Sequence, residues 1–158
     1  EDRFDEVAEN LTKEMGKPLA EAKIELSVAI DIIRWYGEEG KRIYGRTVPS
    51  RMPGISQTVR KDPVGPVIAF VAWNFPAVNV VRKVAGSLAA GCSVIIKPSE
   101  ETPGTAIAIA RALQEAGLPD GALNVVFGVP AEVSEHLVIS SLHTLTLSRG
   151  KKRRMHDS

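Results

Sequence analysis

Residues 63–101, PVGPVIAFVAWNFPAVNVVRKVAGSLAAGCSVIIKPSEE, decide the fold. The uncharged run 67–72 is rich in β-branched residues, which predicts a strand buried on both faces. Pro76 suits the first turn of a helix predicted over 78–90, and the glycine that follows suits its end because glycine tolerates positive φ. A second short apolar run at 93–96 predicts another strand. The stretch therefore predicts a βαβ unit with parallel strands and a right-handed crossover.

The rest of the chain extends this alternation on both sides. The predicted elements are helices over 1–15, 19–43, 104–116 and 131–139, a half-exposed strand over 55–61, and apolar strands over 123–127 and 142–147. Residues 45–54 are predicted to form a loop, and Thr102 to cap the helix at 104–116. The buried stripe predicted for the helix at 19–43 is Ala22, Leu26, Ala29, Ile33 and Tyr36. The pattern predicts an α/β fold, with a Rossmann-like parallel sheet, helices on both faces, and N-terminal helices and an extended strand before it.

Composition narrows the class of protein. With 158 residues, 44% apolar, 25% charged and a net charge of +1, the chain has the composition of one soluble domain and gives no reason to expect nucleic acid as a partner. One cysteine, Cys92, excludes an internal disulfide and favours a reducing, cytoplasmic compartment. No apolar run approaches the length that spans a bilayer, so no membrane partner is expected. The first residues lack the features of a signal peptide and already follow a helical pattern, as in a fragment.

Residues 149–158 differ from everything before them. They have no apolar periodicity, and five basic residues lie between Arg149 and Arg154. We interpret them as a disordered tail or as sequence foreign to the domain. The alternative is a nuclear-targeting or nucleic-acid-binding patch.

Polar side chains follow both strands of the βαβ unit, at the end where nucleotides bind such units. Asn74 could donate a hydrogen bond to a developing oxyanion, and Trp73 could wall a cofactor pocket. The alternatives are a plain turn asparagine and a core tryptophan. Lys97 could donate to ribose hydroxyls or phosphate, and Glu100 could accept from a ribose 2′-OH. The alternatives are a solvated lysine and an acid favoured by a helix N-terminus.

Several common site motifs are missing from the 158 residues. The Gly-x-Gly-x-x-Gly fingerprint and the phosphate loop do not occur, so the first βα turn has no standard pyrophosphate cradle. The three histidines lack the spacing of metal ligands, so no metal site is expected. Cys92 lies beside an apolar strand with no histidine near it in sequence, which favours a buried structural thiol over a nucleophile.

Taken together, the chain resembles the N-terminal part of an NAD(P)-dependent aldehyde dehydrogenase. The matching motifs in chain order are EMGKPLAEA (14–22), PVG (63–65), WNFP (73–76), AAGC (89–92), KPSE (97–100) with TP (102–103), EAGLP (115–119) with Gly121, and NVV (124–126). Each motif is weak alone, and the whole series in this order is specific. The AAGC motif and the pair Tyr44-Gly45 most resemble the succinate-semialdehyde dehydrogenase branch.

The resemblance implies roles for individual residues. Asn74 would be the oxyanion-hole amide that holds the aldehyde oxygen. The residues implied at the cofactor site are Val71, Trp73, Lys97, Ser99, Glu100 and Gly128. Lys97 and Glu100 would meet the adenosine ribose, and because an acid at 100 would oppose a 2′-phosphate, NAD is expected over NADP. The strand at 55–61 would belong to an arm that joins subunits, so a homo-oligomer is expected. The implied division is N-terminal helices and loop (1–54), a partial NAD-binding domain (55–148) and the tail.

The resemblance ends after Leu147. The family continues with a glycine-serine turn, where this chain has Ser148-Arg149-Gly150. The family's general-base glutamate in a Glu-Leu-Gly-Gly motif and its nucleophilic cysteine do not occur in these residues, and Cys92 does not match the nucleophile's motif. We therefore expect a truncated cofactor-binding part of an enzyme that oxidises an aldehyde, inactive alone. The alternative is a non-catalytic nucleotide-binding or subunit-interaction module.

Overall fold

The computed structural model describes residues 3–139 and the backbone of 144–147. The helices are α1 (Phe4–Met15), α2 (Leu19–Glu39), α3 (Pro76–Ala89), α4 (Pro103–Glu115) and α5 (Pro130–Ile139), with a 3-10 turn at Gly40–Arg42. The strands are β1 (Arg46–Pro49), β2 (Ser56–Val59), β3 (Val67–Phe70), β4 (Val94–Lys97), β5 (Leu123–Val125) and β6 (Thr144–Leu147). The tail predicted at 149–158 and the first two residues of the strand predicted at 142–147 lie outside the described residues.

A four-stranded parallel sheet forms the centre of the fold, in the order β5-β4-β3-β6. The chain steps from β3 through β4 to β5 and then returns to the far side of β3. Because such crossovers are right-handed, α3 and α4 cover one face of the sheet and α5 the other. The predicted α/β class with helices on both faces is confirmed.

The buried strand at the centre behaves as its sequence predicts. Val67, Ile68 and Ala69 are all buried, as expected for a strand covered on both faces. Ala69 shares the main core cluster with Val81 and Val84 of α3. Cys92, just before β4, is 4% exposed, which confirms the prediction of a buried thiol.

The helices α1 and α2 form an antiparallel hairpin that packs outside α3 and α4. Ala22, Leu26 and Ala29 are buried as predicted, but Ile33 is 36% exposed and Tyr36 only half-buried. The prediction extended the stripe too far because α1 has 12 residues and α2 has 21, so α1 leaves the second half of α2 uncovered.

The segment predicted as a loop at 45–54 contains a strand. Its residues 46–49 form β1, which pairs antiparallel with β2, and Gly45 lies so close to Val59 that a Cβ there would be 2.6 Å from the carbonyl oxygen. Every residue of β2 is exposed, so the prediction of a half-exposed strand was also wrong. A two-stranded ribbon has no sheet behind it to bury one face, and alternation in its sequence therefore does not report burial. The helix predicted to Ile43 ends at Glu39.

In the described part of the chain, no helix combines the length and the apolar character needed to cross a bilayer.

Candidate functional site

The register of the sheet brings the two predicted halves of the site to one edge. Phe70 of β3 pairs with Lys97 of β4, and the Val71 backbone N–H donates to the Lys97 carbonyl oxygen at 3.0 Å. The turn that carries Asn74 and the loop that carries Glu100 therefore leave the sheet side by side. Val71 itself is 8% exposed and belongs to the core.

The turn after β3 leads directly into α3. Pro76 occupies the first helical turn, where its missing N–H costs no hydrogen bond, and Phe75 at the N-cap offers no side-chain acceptor. The acceptor comes from α2 instead. Glu25 Oε1 accepts hydrogen bonds from the Ala77 N–H at 2.9 Å and the Val78 N–H at 3.2 Å. A carboxylate at this position also complements the positive end of the helix dipole.

Glu25 is paired with Lys17 in the interior. Their side chains are 2% and 7% exposed, and the Lys17 ammonium donates to Glu25 Oε2. The same ammonium lies 4.6 Å from the centroid of the Phe75 ring, a cation–π contact. The pair thus fixes both the start of α3 and the residue next to Asn74. Sequence reasoning missed Glu25, although an acid beside Leu26 on an apolar helix stripe was a usable signal.

Asn74 contacts a second amide one turn into α3. Asn79 Nδ2 donates to Asn74 Oδ1 at 3.3 Å, and both side chains are half-buried. Asn79 also lines a groove of about 400 Å³ between α2 and α3, together with Phe75 and Arg82. Because Phe75, Asn79 and Arg82 are spaced at i, i+4 and i+7, they share one face of the chain entering α3. Arg82 is exposed and makes no ion pair with the described residues.

At the end of β4, Lys97 and Glu100 form an ion pair. The Lys97 side chain is 5% exposed and also donates to the Pro98 carbonyl oxygen at 3.3 Å, whereas Glu100 is 40% exposed. Burial favours the neutral form of Glu100, but the Lys97 ammonium and the Gly128 backbone N–H outweigh it and lower the pKa of this carboxyl. The carboxylate therefore stays ionised at neutral pH.

Gly128 joins this cluster through its backbone. Its φ is +147°, and a Cβ at this position would lie 2.9 Å from Val133 Cγ2 of α5. Glycine is thus required for the chain after β5 to approach Glu100. Ser99 does not join the cluster, because its hydroxyl donates to Glu101. Trp73 is half-buried at the neighbouring turn.

The helix α4 repeats the arrangement of α3. Thr102 occupies the N-cap as predicted, but its side chain makes no cap hydrogen bond. Glu14 of α1 replaces it and accepts from the Gly104 N–H, the Thr105 N–H at 3.0 Å and the Thr105 hydroxyl at 2.7 Å. A Cβ at Gly104 would lie 2.7 Å from Asn10 Nδ2, so glycine allows α1 to approach this closely. Two acids of the N-terminal hairpin thus hold the starts of both helices that follow the site turns.

The donor set at the sheet edge fits a ribose. A buried ammonium and an ionised carboxylate lie together at the carboxyl end of β4, beside the end of β3, which suits the vicinal hydroxyls of a nucleoside. Among the described residues there is no cluster of histidine, cysteine, aspartate and glutamate that could hold a metal ion. Cys92 is buried with its Sγ 4.0 Å from the Ala90 carbonyl oxygen, away from any of these groups.

Comparisons with known proteins point in the same direction. A family model described as the aldehyde dehydrogenase family matches residues 1–146. A 4-(hydroxymethyl)benzenesulfonate dehydrogenase of Comamonas testosteroni is 49% identical over 134 residues, which are 85% of this chain and 28% of that protein. The succinate-semialdehyde dehydrogenase (NADP⁺) of Escherichia coli is 45% identical over 138 residues, 87% of this chain and 29% of that protein.

Solved structures give the same result. An NADP-dependent enzyme of E. coli superposes with a TM-score of 0.91 at 43% identity, over 92% of this chain and 31% of that chain. An NAD-dependent aldehyde dehydrogenase of Sinorhizobium meliloti superposes with a TM-score of 0.89 at 31% identity, over 92% and 29% of the two chains. The chain spans less than a third of the length of the curated relatives named above.

Proposed function

The chain belongs to the aldehyde dehydrogenase family, and we propose that its 158 residues supply the adenosine half of a cofactor site and one oxyanion donor for the oxidation of an aldehyde to a carboxylic acid. The observation that carries this proposal is the cluster of Lys97, Glu100 and Gly128 beside the turn of Asn74. When bound, the nicotinamide cofactor supplies the two-electron acceptor for the aldehyde.

The cofactor would be NAD rather than NADP. Lys97 would donate to the ribose hydroxyls and the Glu100 carboxylate would accept from them. The lowered pKa of Glu100 keeps its carboxylate negatively charged at neutral pH. A 2′-phosphate on the ribose would lie beside this carboxylate, and the two negative charges would repel each other. The similar proteins include both NAD- and NADP-dependent enzymes, so this preference rests on Glu100 alone. Trp73 and Val71 would form the wall of the pocket.

The substrate would carry an anionic group remote from its aldehyde. The names of two relatives specify a sulfonate and a semialdehyde of a dicarboxylic acid. In this chain, the groove that begins at Phe75 and Asn79 contains Arg82, a cation without an ion-pair partner among the described residues. A guanidinium binds carboxylate or sulfonate through two parallel hydrogen bonds. We assign Arg82 to that anion, and succinate semialdehyde fits this pattern.

These residues would not complete a turnover by themselves. The oxidation needs a thiolate to attack the aldehyde, and Cys92 is 4% exposed within the core. Asn74 can stabilise a developing oxyanion but cannot form the covalent intermediate. The single cysteine also favours a reducing, cytoplasmic setting.

The experiment is a titration of the purified chain with NADH and NADPH, followed by nicotinamide fluorescence. We expect saturable NADH binding that Lys97→Ala weakens about tenfold or more, since a charge-assisted hydrogen bond contributes roughly 1.5–3 kcal/mol. The matched control is Lys13→Ala, which removes an exposed lysine of α1. Equal binding of NADH and NADPH, or equal effects of the two substitutions, would refute the cofactor assignment. Saturable NADH production from NAD⁺ and succinate semialdehyde would refute the expected lack of turnover.

A second candidate function, subunit association, is favoured by the ribbon of β1 and β2. All of β2 is exposed, and the apolar side chains of Ile55 and Val59 are 52% and 41% exposed. Such a ribbon with free edges pairs readily with another chain. Sedimentation of the chain should show self-association that Val59→Lys abolishes, whereas a monomer at high concentration would count against this function.

A further inference from the structure

We propose that Asn79 is a positioning residue that fixes the side-chain amide of Asn74 with its NH₂ group directed away from α3, toward the oxygen of a bound aldehyde. The inference rests on the proposed role of Asn74 as the oxyanion donor. It adds a second residue, Asn79, that would not contact the reacting atoms.

The geometry selects one of two amide orientations. Asn79 Nδ2 donates to Asn74 Oδ1 at 3.3 Å, so the carbonyl side of the Asn74 amide faces Asn79. The NH₂ group of Asn74, on the opposite side of the same planar amide, then keeps both of its donors available. An asparagine amide turned by 180° would present its oxygen to the developing oxyanion, where it would repel rather than stabilise the charge.

Asn79 can impose this choice because its own position is fixed. Its backbone N–H donates to the Phe75 carbonyl oxygen at 2.8 Å, within the first turn of α3. Glu25 holds this first helical turn by accepting hydrogen bonds from the Ala77 and Val78 N–H groups. The neighbours Val80 and Val81 are 2% and 1% exposed, so the helix cannot rotate without leaving the core.

A reversal of hydrogen-bond polarity tests the proposal. In Asn79→Asp the introduced carboxylate has nearly the same shape but can only accept, so Asn74 must turn its NH₂ group toward position 79. The ¹⁵N-labelled 158-residue chain gives the readout through the side-chain NH₂ resonances of Asn74. We expect one of these protons to shift downfield in the variant, and the shift to disappear as the introduced carboxylate is protonated at acid pH. The same pH series on the unsubstituted chain shows which part of the change in shift comes from protonation of Glu21 and Glu25, the acids that line the same groove.

The unsubstituted chain provides an independent measurement that does not depend on the folding of a variant. In the unsubstituted chain, one proton of the Asn79 NH₂ group should resonate downfield and exchange slowly with solvent. The protons of the Asn74 NH₂ group should exchange freely. The opposite assignment would overturn the proposal. So would an Asn74 signal in Asn79→Asp that does not depend on pH.

The matched control is Asn124→Asp. It makes the same chemical change at an exposed asparagine whose amide donates to the Gly121 carbonyl oxygen at 2.9 Å. It should leave the Asn74 resonances unchanged, and a shift equal to that in Asn79→Asp would refute a local effect. NADH titration of the same samples reports on Lys97 and Glu100 separately, so failure of the cofactor assignment is distinguishable from failure of the Asn79 assignment.

Discussion

Replacing Glu25 with glutamine should destabilise the whole chain, because Glu25 both pairs with the buried Lys17 and accepts from the first N–H groups of α3. The substitution keeps the shape of the side chain and one acceptor oxygen for the N–H groups at the start of α3. It removes the charge that faces Lys17, whose side chain is 7% exposed. An ammonium buried without a countercharge must either remain desolvated or pull α2 away from α3.

The magnitude follows from that burial. Removal of one partner of a buried ion pair costs about 3–5 kcal/mol, and the retained oxygen places Glu25→Gln near the lower end. For a chain of this length we expect the thermal midpoint to fall by roughly 6–12 °C. Hydrogen exchange of the Ala77 and Val78 amides should accelerate more than that of the sheet, because these N–H groups lose a charged acceptor.

The assay is urea unfolding followed by far-UV circular dichroism, on a double-mutant cycle. Lys17→Met combined with Glu25→Gln should be more stable than Glu25→Gln alone, since no uncompensated charge remains. The control is Glu115→Gln, which breaks an exposed ion pair. The side chains of Arg3 and Glu115 are 46% and 58% exposed, so loss of this pair should lower the free energy of unfolding by no more than about 1 kcal/mol. If Glu25→Gln behaves like this control, or if the two substitutions of the cycle simply add, the buried pair does not hold α3 as argued.

Three further substitutions address the other contacts of the site. Glu14→Gln should lower the free energy of unfolding by about 1–3 kcal/mol, measured in urea, because it neutralises the acceptor at the start of α4. Gly128→Ala should weaken NADH binding and lower the thermal midpoint, because the new Cβ adds a side chain at positive φ and meets Val133 at 2.9 Å. The pKa of Glu100 is lowered in the folded chain, so its ionisation stabilises the fold above the ordinary carboxyl pKa, and this contribution is lost as the pH falls through the lowered value. Glu100→Gln should therefore flatten the dependence of the thermal midpoint on pH in that acid range, and the Lys97 ion pair should vanish with it.

Each of the three substitutions has a result that would contradict the reasoning behind it. A Glu14→Gln chain with unchanged stability would mean that water or Thr105 alone satisfies α4. Unaltered NADH binding in Gly128→Ala would place the cofactor away from the end of β5. An acid profile of Glu100→Gln that follows the parent chain would mean that another carboxyl controls stability there.

The sequence predicted the elements whose causes are local. The apolar run at 67–70 makes a buried strand, and Pro76 and Pro103 open their helices because proline suits a first helical turn. The order of strands and helices then fixes the α/β class, since parallel strands need covered crossovers. Lys97 and Glu100 were singled out for the same reason, as polar residues at the end of a buried strand.

The groups that hold the site in place could not be predicted in this way. Glu25 caps a helix that begins about 50 residues later in the chain, and Glu14 caps one about 90 residues later, so no sequence window contains donor and acceptor together. The prediction of a cap at Thr102 followed the local rule and was wrong about the hydrogen bond, because a carboxylate from α1 reaches the same N–H groups. The strand β1 was missed because its partner β2, rather than its own alternation, defines it.

By itself, then, the amino-acid sequence determined the α/β fold, the family resemblance and the residues at the strand ends, because these depend on local composition and on motif order. Only the tertiary structure decided which acids cap α3 and α4, which side of the Asn74 amide faces Asn79, and that Gly128 meets Glu100. The physical reason is that hydrogen bonds and ion pairs depend on distances of about 3 Å between atoms. Chain folding alone sets such distances between residues that are far apart in the sequence.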